Sequence, residues 1–85
     1  MERAPLRRSI LRNAILEGAD LTGADLSDAD LCGASLERAN LEGACLAGAQ
    51  LEEATLERAN LTGVSGIVSG QLDRVKSREG ALGLN

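Results

Sequence analysis

The sequence predicts an all-β solenoid, because a leucine recurs at every fifth position from residue 6 to residue 61 without a gap. An alanine or serine precedes each leucine by two positions, which makes twelve consecutive five-residue units from residue 4 to residue 63. Glycine ends six of the units. These observations indicate short extended sides, each burying one leucine and one small residue, joined by tight corners.

A period of five fits neither an α-helix nor a flat strand. An α-helix turns by about 100° per residue, so leucines five apart would be spread around all of its faces. In a flat strand the side chains alternate, so successive leucines would point to opposite faces. The chain must therefore bend once in each unit, after every leucine.

The last two residues of each unit form the corner, and their composition predicts more than one type of turn. The six glycines stand at the third place of a four-residue turn, where a type II turn requires a positive φ. The other six units carry larger residues at that place, which suit a type I turn better. These residues are Arg8, Asn13, Asp28, Arg38, Glu53 and Arg58.

The units Ala19–Gly23, Ala24–Asp28 and Ala39–Gly43 resemble the A(D/N)LxX repeat of the pentapeptide-repeat family. The resemblance implies a right-handed quadrilateral β-helix with one unit on each side and twenty residues in each coil. Twelve units would then make about three coils. Members of that family often place phenylalanine at some of the leucine positions, whereas this chain contains no aromatic residue.

The chain divides by pattern into a lead-in at residues 1–3, a β-helix at 4–65 and a C-terminal cap at 66–85. In the cap, Ser69 is placed to begin a short helix from about Gly70 to Lys76, and an apolar tail follows. The predicted helix would cover the open core with the apolar face formed by Val68, Leu72 and Val75. The run from residue 71 to residue 81 is similar to a terminal segment found after pentapeptide repeats.

The first coil is the least regular, and it carries Pro5, Arg7, Arg8 and Arg12 on its outer positions. Proline and charge on an exposed β-edge discourage edge-to-edge association, so we interpret them as edge protection. Loss of regularity at a terminal repeat is the alternative interpretation.

The charge is polarised along the chain. Residues 16–65 contain ten acids and two bases, a net charge of −8, whereas residues 1–15 carry +3. An acidic surface of this kind is a candidate for binding a protein partner. The candidate residues are Glu17, Asp20, Asp25, Asp28, Asp30, Glu37 and Glu57.

Residues twenty apart should stack in a coil of twenty, which predicts a vertical column of Glu17, Glu37 and Glu57. Arg38 and Arg58 are expected to neutralise part of that column from the neighbouring corner position. The residues Asp20, Asn40 and Asn60 should form a second column, in which the amides hydrogen-bond between coils.

Asp25, Asp28 and Asp30 cluster around one corner with no base nearby in the sequence. Their spacing lacks the full ligand series of a calcium loop, so we interpret them as solvated surface charges. On that interpretation, replacing Asp25 by alanine should leave the stability nearly unchanged.

The sequence predicts no catalytic, cofactor or metal site. The chain has no histidine, which excludes Ser/His and Cys/His nucleophile pairs. Cys32 and Cys45 occupy different positions of their units and should not meet, so both are expected to be free thiols in the cytoplasm. The acidic surface and the missing aromatic residues disfavour direct binding of nucleic acid. No apolar run reaches the roughly 20 residues of a membrane helix.

Two functional hypotheses follow. The first is a non-catalytic structural or protein-interaction module with an unidentified protein partner. The alternative comes from the resemblance, since some pentapeptide-repeat proteins mimic duplex DNA and bind a type II topoisomerase such as DNA gyrase. In either case we expect a monomer, or a weak homodimer formed through an end coil.

Overall fold

The computed structural model of the chain describes residues 6–67, 69–72 and 75–83, and it is a right-handed quadrilateral β-helix. Single-residue parallel bridges join positions twenty apart from Ile10↔Asp30 to Cys45↔Ser65, so each coil contains twenty residues. The described part measures 27 × 23 × 20 Å, so the short solenoid is nearly as wide as it is long.

Each coil has four sides, which we number in chain order, starting with the side that contains Leu6. The middle residues of the sides form four outward columns. The first side contains Asp25, Cys45 and Ser65; the second Ile10, Asp30 and Gln50; the third Ile15, Ser35, Thr55 and Ser77; the fourth Asp20, Asn40, Asn60 and Leu82.

The leucines and alanines of the repeat fill the interior. From Leu21 to Leu61 every unit's leucine and alanine is at most 3% exposed. The leucines of the first coil, Leu6, Leu11 and Leu16, are only partly buried, since they close one end of the core. The predicted inward positions are therefore confirmed.

The corners are uniform, which corrects the prediction of mixed turns. All twelve third-place residues have a positive φ, between 59° and 73°, including the six that are not glycine. In all twelve corners the amide of the residue that follows the corner donates to the carbonyl of the preceding leucine, as Ala39 does to Leu36 over 3.0 Å. A positive φ at this place is the feature that separates type II from type I turns.

Stacking explains this uniformity. The third-place amide donates to the coil that follows, as in the bonds from Gly18 to Glu37 (2.9 Å) and from Arg38 to Glu57 (2.8 Å). A corner with another backbone shape would lose that bond, so Arg38, with φ 60°, adopts the conformation of Gly18. The ladder overrides the local preference of the larger residues.

The C-terminal segment forms most of a fourth coil. The helix α1 spans Ser69–Leu72, shorter than the predicted Gly70 to Lys76, and it replaces one side. Lys76, at the predicted end of the helix, donates its amide to the carbonyl of Ala54 (2.7 Å) and so belongs to the ladder. Val68, expected on the apolar face of the helix, lies outside the described residues, as does Pro5 of the expected edge protection.

Two residues are added where the helix replaces a side. The bridges Thr55↔Ser77 and Asn60↔Leu82 span twenty-two residues instead of twenty. Leu72 is buried against the core. The side-chain amide of Gln71 donates to the carbonyls of Leu46 and Ala49, both over 2.9 Å. These contacts hold the helix over the end of the third coil.

Candidate functional site

A column of four glutamates runs along the corner that follows the third side. It consists of Glu17, Glu37, Glu57 and Glu79, and we call it the glutamate column. With Arg38, Arg58 and Gly80 it lines an open groove of about 460 Å³. Neighbouring coils are about 4.8 Å apart, so the column brings like charges close together.

The sequence predicted three members of the column and missed Glu79. A strict spacing of twenty would place residue 77 beside Glu57, but the two extra residues at α1 shift Glu79 into the column. A signal was present, because Glu79-Gly80-Ala81 repeats the corner sequence Glu17-Gly18-Ala19.

The carboxylates of the column have few partners. Glu37 accepts a hydrogen bond from the hydroxyl of Thr55 (3.1 Å). Among the residues that the structure describes, neither Arg38 nor Arg58 has a carboxylate oxygen within 4.0 Å of its guanidinium nitrogens. The predicted neutralisation therefore involves no direct ion pair, although both cations line the same groove.

The aspartates at the middle of the sides accept hydrogen bonds from backbone amides. Asp25 accepts hydrogen bonds from the amide and the hydroxyl of Ser27, over 3.1 and 2.7 Å. Asp20 accepts the same two bonds from Thr22, over 3.1 and 2.7 Å. Asp30 accepts one from the amide of Cys32 over 3.1 Å. These contacts are Asx turns, in which the side chain satisfies an amide at the start of a corner.

The same role falls to asparagine on the fourth side. Asn40 and Asn60 accept from the amides of Glu42 and Thr62, each over 3.1 Å. Asn60 also donates to the side-chain oxygen of Asn40 across 3.5 Å, which confirms the predicted hydrogen bond between coils. The Asp or Asn of the repeat is therefore part of the fold.

Arginines of the first coil pair with two of these aspartates. A guanidinium nitrogen of Arg12 lies 3.1 Å from a carboxylate oxygen of Asp30, and a guanidinium nitrogen of Arg7 lies 3.9 Å from a carboxylate oxygen of Asp25. The sequence had suggested no base near this acidic cluster, but stacking brings bases from 18 residues upstream onto it. The interpretation of Asp25 as a solvated charge without a partner is therefore wrong.

These contacts lower the pKa of each carboxyl. The hydroxyl and amide of Thr22 lower the pKa of Asp20, and those of Ser27 lower the pKa of Asp25. For Asp30 the amide of Cys32 is the main cause of the lowered pKa. Hydrogen bonds to the ionised form produce this direction of shift.

Asp28 differs from its neighbours because it occupies a corner. It has φ 59°, and its side chain extends over Gly48 of the next coil. The seven predicted residues thus form no single site. Three lie in the glutamate column, and the structure places Asp25, Asp28 and Asp30 around another corner, with Asp20 on the fourth side.

Both cysteines are free and half-buried. The hydroxyl of Ser27 lies 3.2 Å from the sulfur of Cys45, and this hydrogen bond lowers the pKa of the Cys45 thiol. Burial raises the pKa of the Cys32 thiol. The described residues contain no cluster of three or more Cys, Asp or Glu side chains suited to a metal ion.

No helix among the described residues has the length and apolar character needed to cross a membrane. The sequence matches the family model for pentapeptide repeats in eight copies, over residues 1–38 and 34–65. No protein of curated function matches the chain.

Three solved structures are similar in fold. The pentapeptide repeat protein Rfr23 from the cyanobacterium Cyanothece 51142 is 43% identical, with a TM-score of 0.73, and the match covers 93% of this chain and 49% of Rfr23. The pentapeptide repeat protein alr5209 from Nostoc PCC 7120 is 35% identical, with a TM-score of 0.79. The match covers 93% of this chain and 64% of alr5209.

The third structure is QnrB1, a plasmid-mediated fluoroquinolone resistance protein, at 19% identity and a TM-score of 0.60, covering 88% of this chain and 46% of QnrB1. At that identity the likeness concerns the fold alone. This chain spans between about half and two thirds of the length of the three structures.

Proposed function

The chain belongs to the pentapeptide repeat family, and from this membership we propose that it is a non-catalytic module that binds a protein partner through the glutamate column. The proposed ligand is a cationic segment, rich in lysine or arginine. Two free thiols support a reducing compartment, so we place the protein in the cytoplasm.

The observation that carries the proposal is the excess of unpaired carboxylates in one groove. Within the described residues, no ion pair or hydrogen bond engages the carboxylates of Glu17, Glu57 and Glu79. These three carboxylates add like charges to the column, which costs stability, and they form no hydrogen bond within the described part of the fold. Cations from a partner would replace this repulsion with charge-assisted hydrogen bonds.

Arg38 and Arg58 give the groove a second property, because they place two positive charges beside the four carboxylates. A uniformly cationic peptide would meet repulsion from them. A peptide with an acid between its bases would pair with both kinds of side chain, so the arginines would select among partners and fix the register of binding.

A non-catalytic role agrees with the form of the groove. The glutamates line an open surface, whereas acid–base catalysis relies on carboxyls whose pKa values are shifted by a shielded pocket. The core between the sides consists of leucine and alanine side chains. The chemistry available at the column is electrostatic binding.

Fluorescence anisotropy with a labelled peptide of alternating lysine and glycine that carries one glutamate at its centre tests the proposal. We expect binding that weakens with salt and that falls at least about tenfold in the variant Glu17→Gln/Glu57→Gln/Glu79→Gln. The matched control is Asp28→Asn/Glu42→Gln/Glu53→Gln, which changes the net charge equally but leaves the column intact. Equal weakening by both variants would show non-specific attraction and would contradict the proposed site.

The alternative, a DNA mimic that binds DNA gyrase, is supported by the net charge of −8 over residues 16–65. The largest dimension of 27 Å corresponds to only about eight base pairs at 3.4 Å each. Two of the acids that would imitate phosphates, Asp25 and Asp30, are already paired with arginines.

A gyrase supercoiling assay tests this alternative. Inhibition at micromolar protein that is lost in Asp25→Asn/Asp28→Asn/Asp30→Asn would support DNA mimicry, because asparagine retains an oxygen for the Asx turns. No inhibition by the folded protein would exclude the alternative and leave the glutamate column as the site.

A further inference from the structure

The first described coil exposes two large apolar side chains on adjacent sides. Ile10, on the second side, is 83% exposed, and Ile15, on the third, is 84% exposed. Both are β-branched residues, which favour paired strands. The columns below them continue with the polar residues Asp30 and Ser35, so the apolar character is confined to the edge of the first coil.

The backbone at these two residues is unpaired as well. In the next coil the equivalent residue Asp30 donates its amide to the carbonyl of Ser9 over 2.9 Å. The amide and carbonyl of a middle residue both point toward the preceding coil. Among the described residues, none bonds the amide or carbonyl of Ile10 or Ile15.

We propose that a second copy of this chain docks head to head on this edge, with Ile10 of each copy paired to Ile15 of the other. A residue with both backbone groups free on one edge can exchange two hydrogen bonds with a partner residue in an antiparallel pair. A two-fold axis through the corner between the second and third sides makes these sides antiparallel neighbours. It creates the Ile10–Ile15 pair twice, as an isologous interface requires.

Charge selects this axis from the four that four-sided symmetry allows. It places the corner that carries Arg8 against the corner that carries Glu17 in the second copy. The other axes would set Ile10 or Ile15 against Asp20, or Asp20 against itself. Only the chosen axis pairs the two isoleucines with each other and also sets a basic corner against an acidic one.

Arg7 and Arg12 of the first coil do not block these sides. Arg7 and Arg12 form ion pairs with Asp25 and Asp30 of the second coil, so their guanidinium groups are directed away from the free edge.

Sedimentation equilibrium tests the dimer. We expect the chain to approach twice its mass of 8.8 kDa at high micromolar concentration. The variant Ile10→Glu/Ile15→Glu should sediment as a monomer with unchanged circular dichroism, because both side chains are exposed. The control Leu82→Glu changes a residue that is 58% exposed at the other end and should remain dimeric. A monomeric parent chain, or equal dissociation by both variants, would overturn the proposal.

Disulfide trapping tests the axis. In a Cys32→Ser/Cys45→Ser background, we expect an equimolar mixture of the Ile10→Cys and Ile15→Cys chains to form cross-linked dimers containing one of each. Neither variant alone should cross-link well, since the two copies of Ile10 lie on different sides. Efficient cross-linking of either single variant by itself would contradict this axis.

Discussion

Replacing Gly66 by alanine should destabilise the protein more than the same exchange at the corner glycines Gly43 and Gly48. Gly66 stands where a leucine would continue the repeat, with φ 81°. A Cβ atom there would lie 2.5 Å from the amide nitrogen of Ala47 and 2.6 Å from its Cα. These are backbone atoms of the coil below, and the carbonyl of Ala47 accepts a 2.8 Å bond from Asp28. The obstacle cannot rotate away as a side chain can.

The magnitude follows from two contributions. A left-handed backbone costs an alanine about 1–2 kcal/mol relative to a conformation that it prefers. Forcing a methyl group into occupied space adds about 1–3 kcal/mol. Gly43 is the matched control, because its φ is 73° but a Cβ would meet nothing within 4 Å. The free energy of unfolding of Gly43→Ala should therefore fall only by the first contribution, the cost of the left-handed backbone.

Thermal and urea unfolding, followed by circular dichroism, would measure the difference. In a domain of this size 1 kcal/mol corresponds to about 4–8 °C in Tm, so Gly66→Ala should melt about 5–20 °C below Gly43→Ala. Gly48→Ala should behave like Gly43→Ala, because its Cβ would meet only the movable carboxylate of Asp28. Equal losses at positions 43 and 66 would refute the assigned contact with Ala47.

Three further predictions concern polar side chains. Asp25→Ala should lower the free energy of unfolding in urea titrations, because the amide and hydroxyl of Ser27 lose their acceptor. Asp25→Asn keeps the accepting oxygen and should lose less, and an alanine variant with unchanged stability would contradict the Asx turn. Because the folded-state pKa values of Asp20, Asp25 and Asp30 lie below the ordinary 3.8, the stability that they contribute is present above pH 3.8 and should be lost as the pH falls below it. Melting curves from pH 6 to pH 2.5 would show this, and a Tm that stays level would refute it. Iodoacetamide should alkylate Cys45 before Cys32, as peptide mapping by mass spectrometry would show, because the lowered pKa leaves more thiolate.

The interior was predictable from the sequence because burial alone decides it. In a chain that bends once per unit, a leucine at each fifth position can be buried only inside the coil. The bridges between residues twenty apart agree with this arrangement of four units per coil. The columns of Glu17, Glu37 and Glu57 and of Asn40 and Asn60 follow directly from that spacing.

The mixed turn types predicted for the corners are wrong because stacking between coils, and not the local preference of each residue, controls the backbone conformation at the third place. Arg38 prefers a right-handed turn in isolation, but its amide must reach the carbonyl of Glu57. The fold therefore carries strained residues at six corners. The position of Glu79 was missed for a different reason, since the two residues inserted at α1 could not be read from periodicity.

The structure separates two classes of acid that look alike in the sequence. An aspartate in the middle of a side, such as Asp20 or Asp25, accepts hydrogen bonds from the corner that follows, so its charge is partly used by the fold. A glutamate at the first corner position, such as Glu57, has no such task. The net charge of the body therefore overstates the acidity available for binding. A partner that depends on charge must meet the corners, where the fold leaves the choice of side chain open and where four glutamates form a column despite their mutual repulsion.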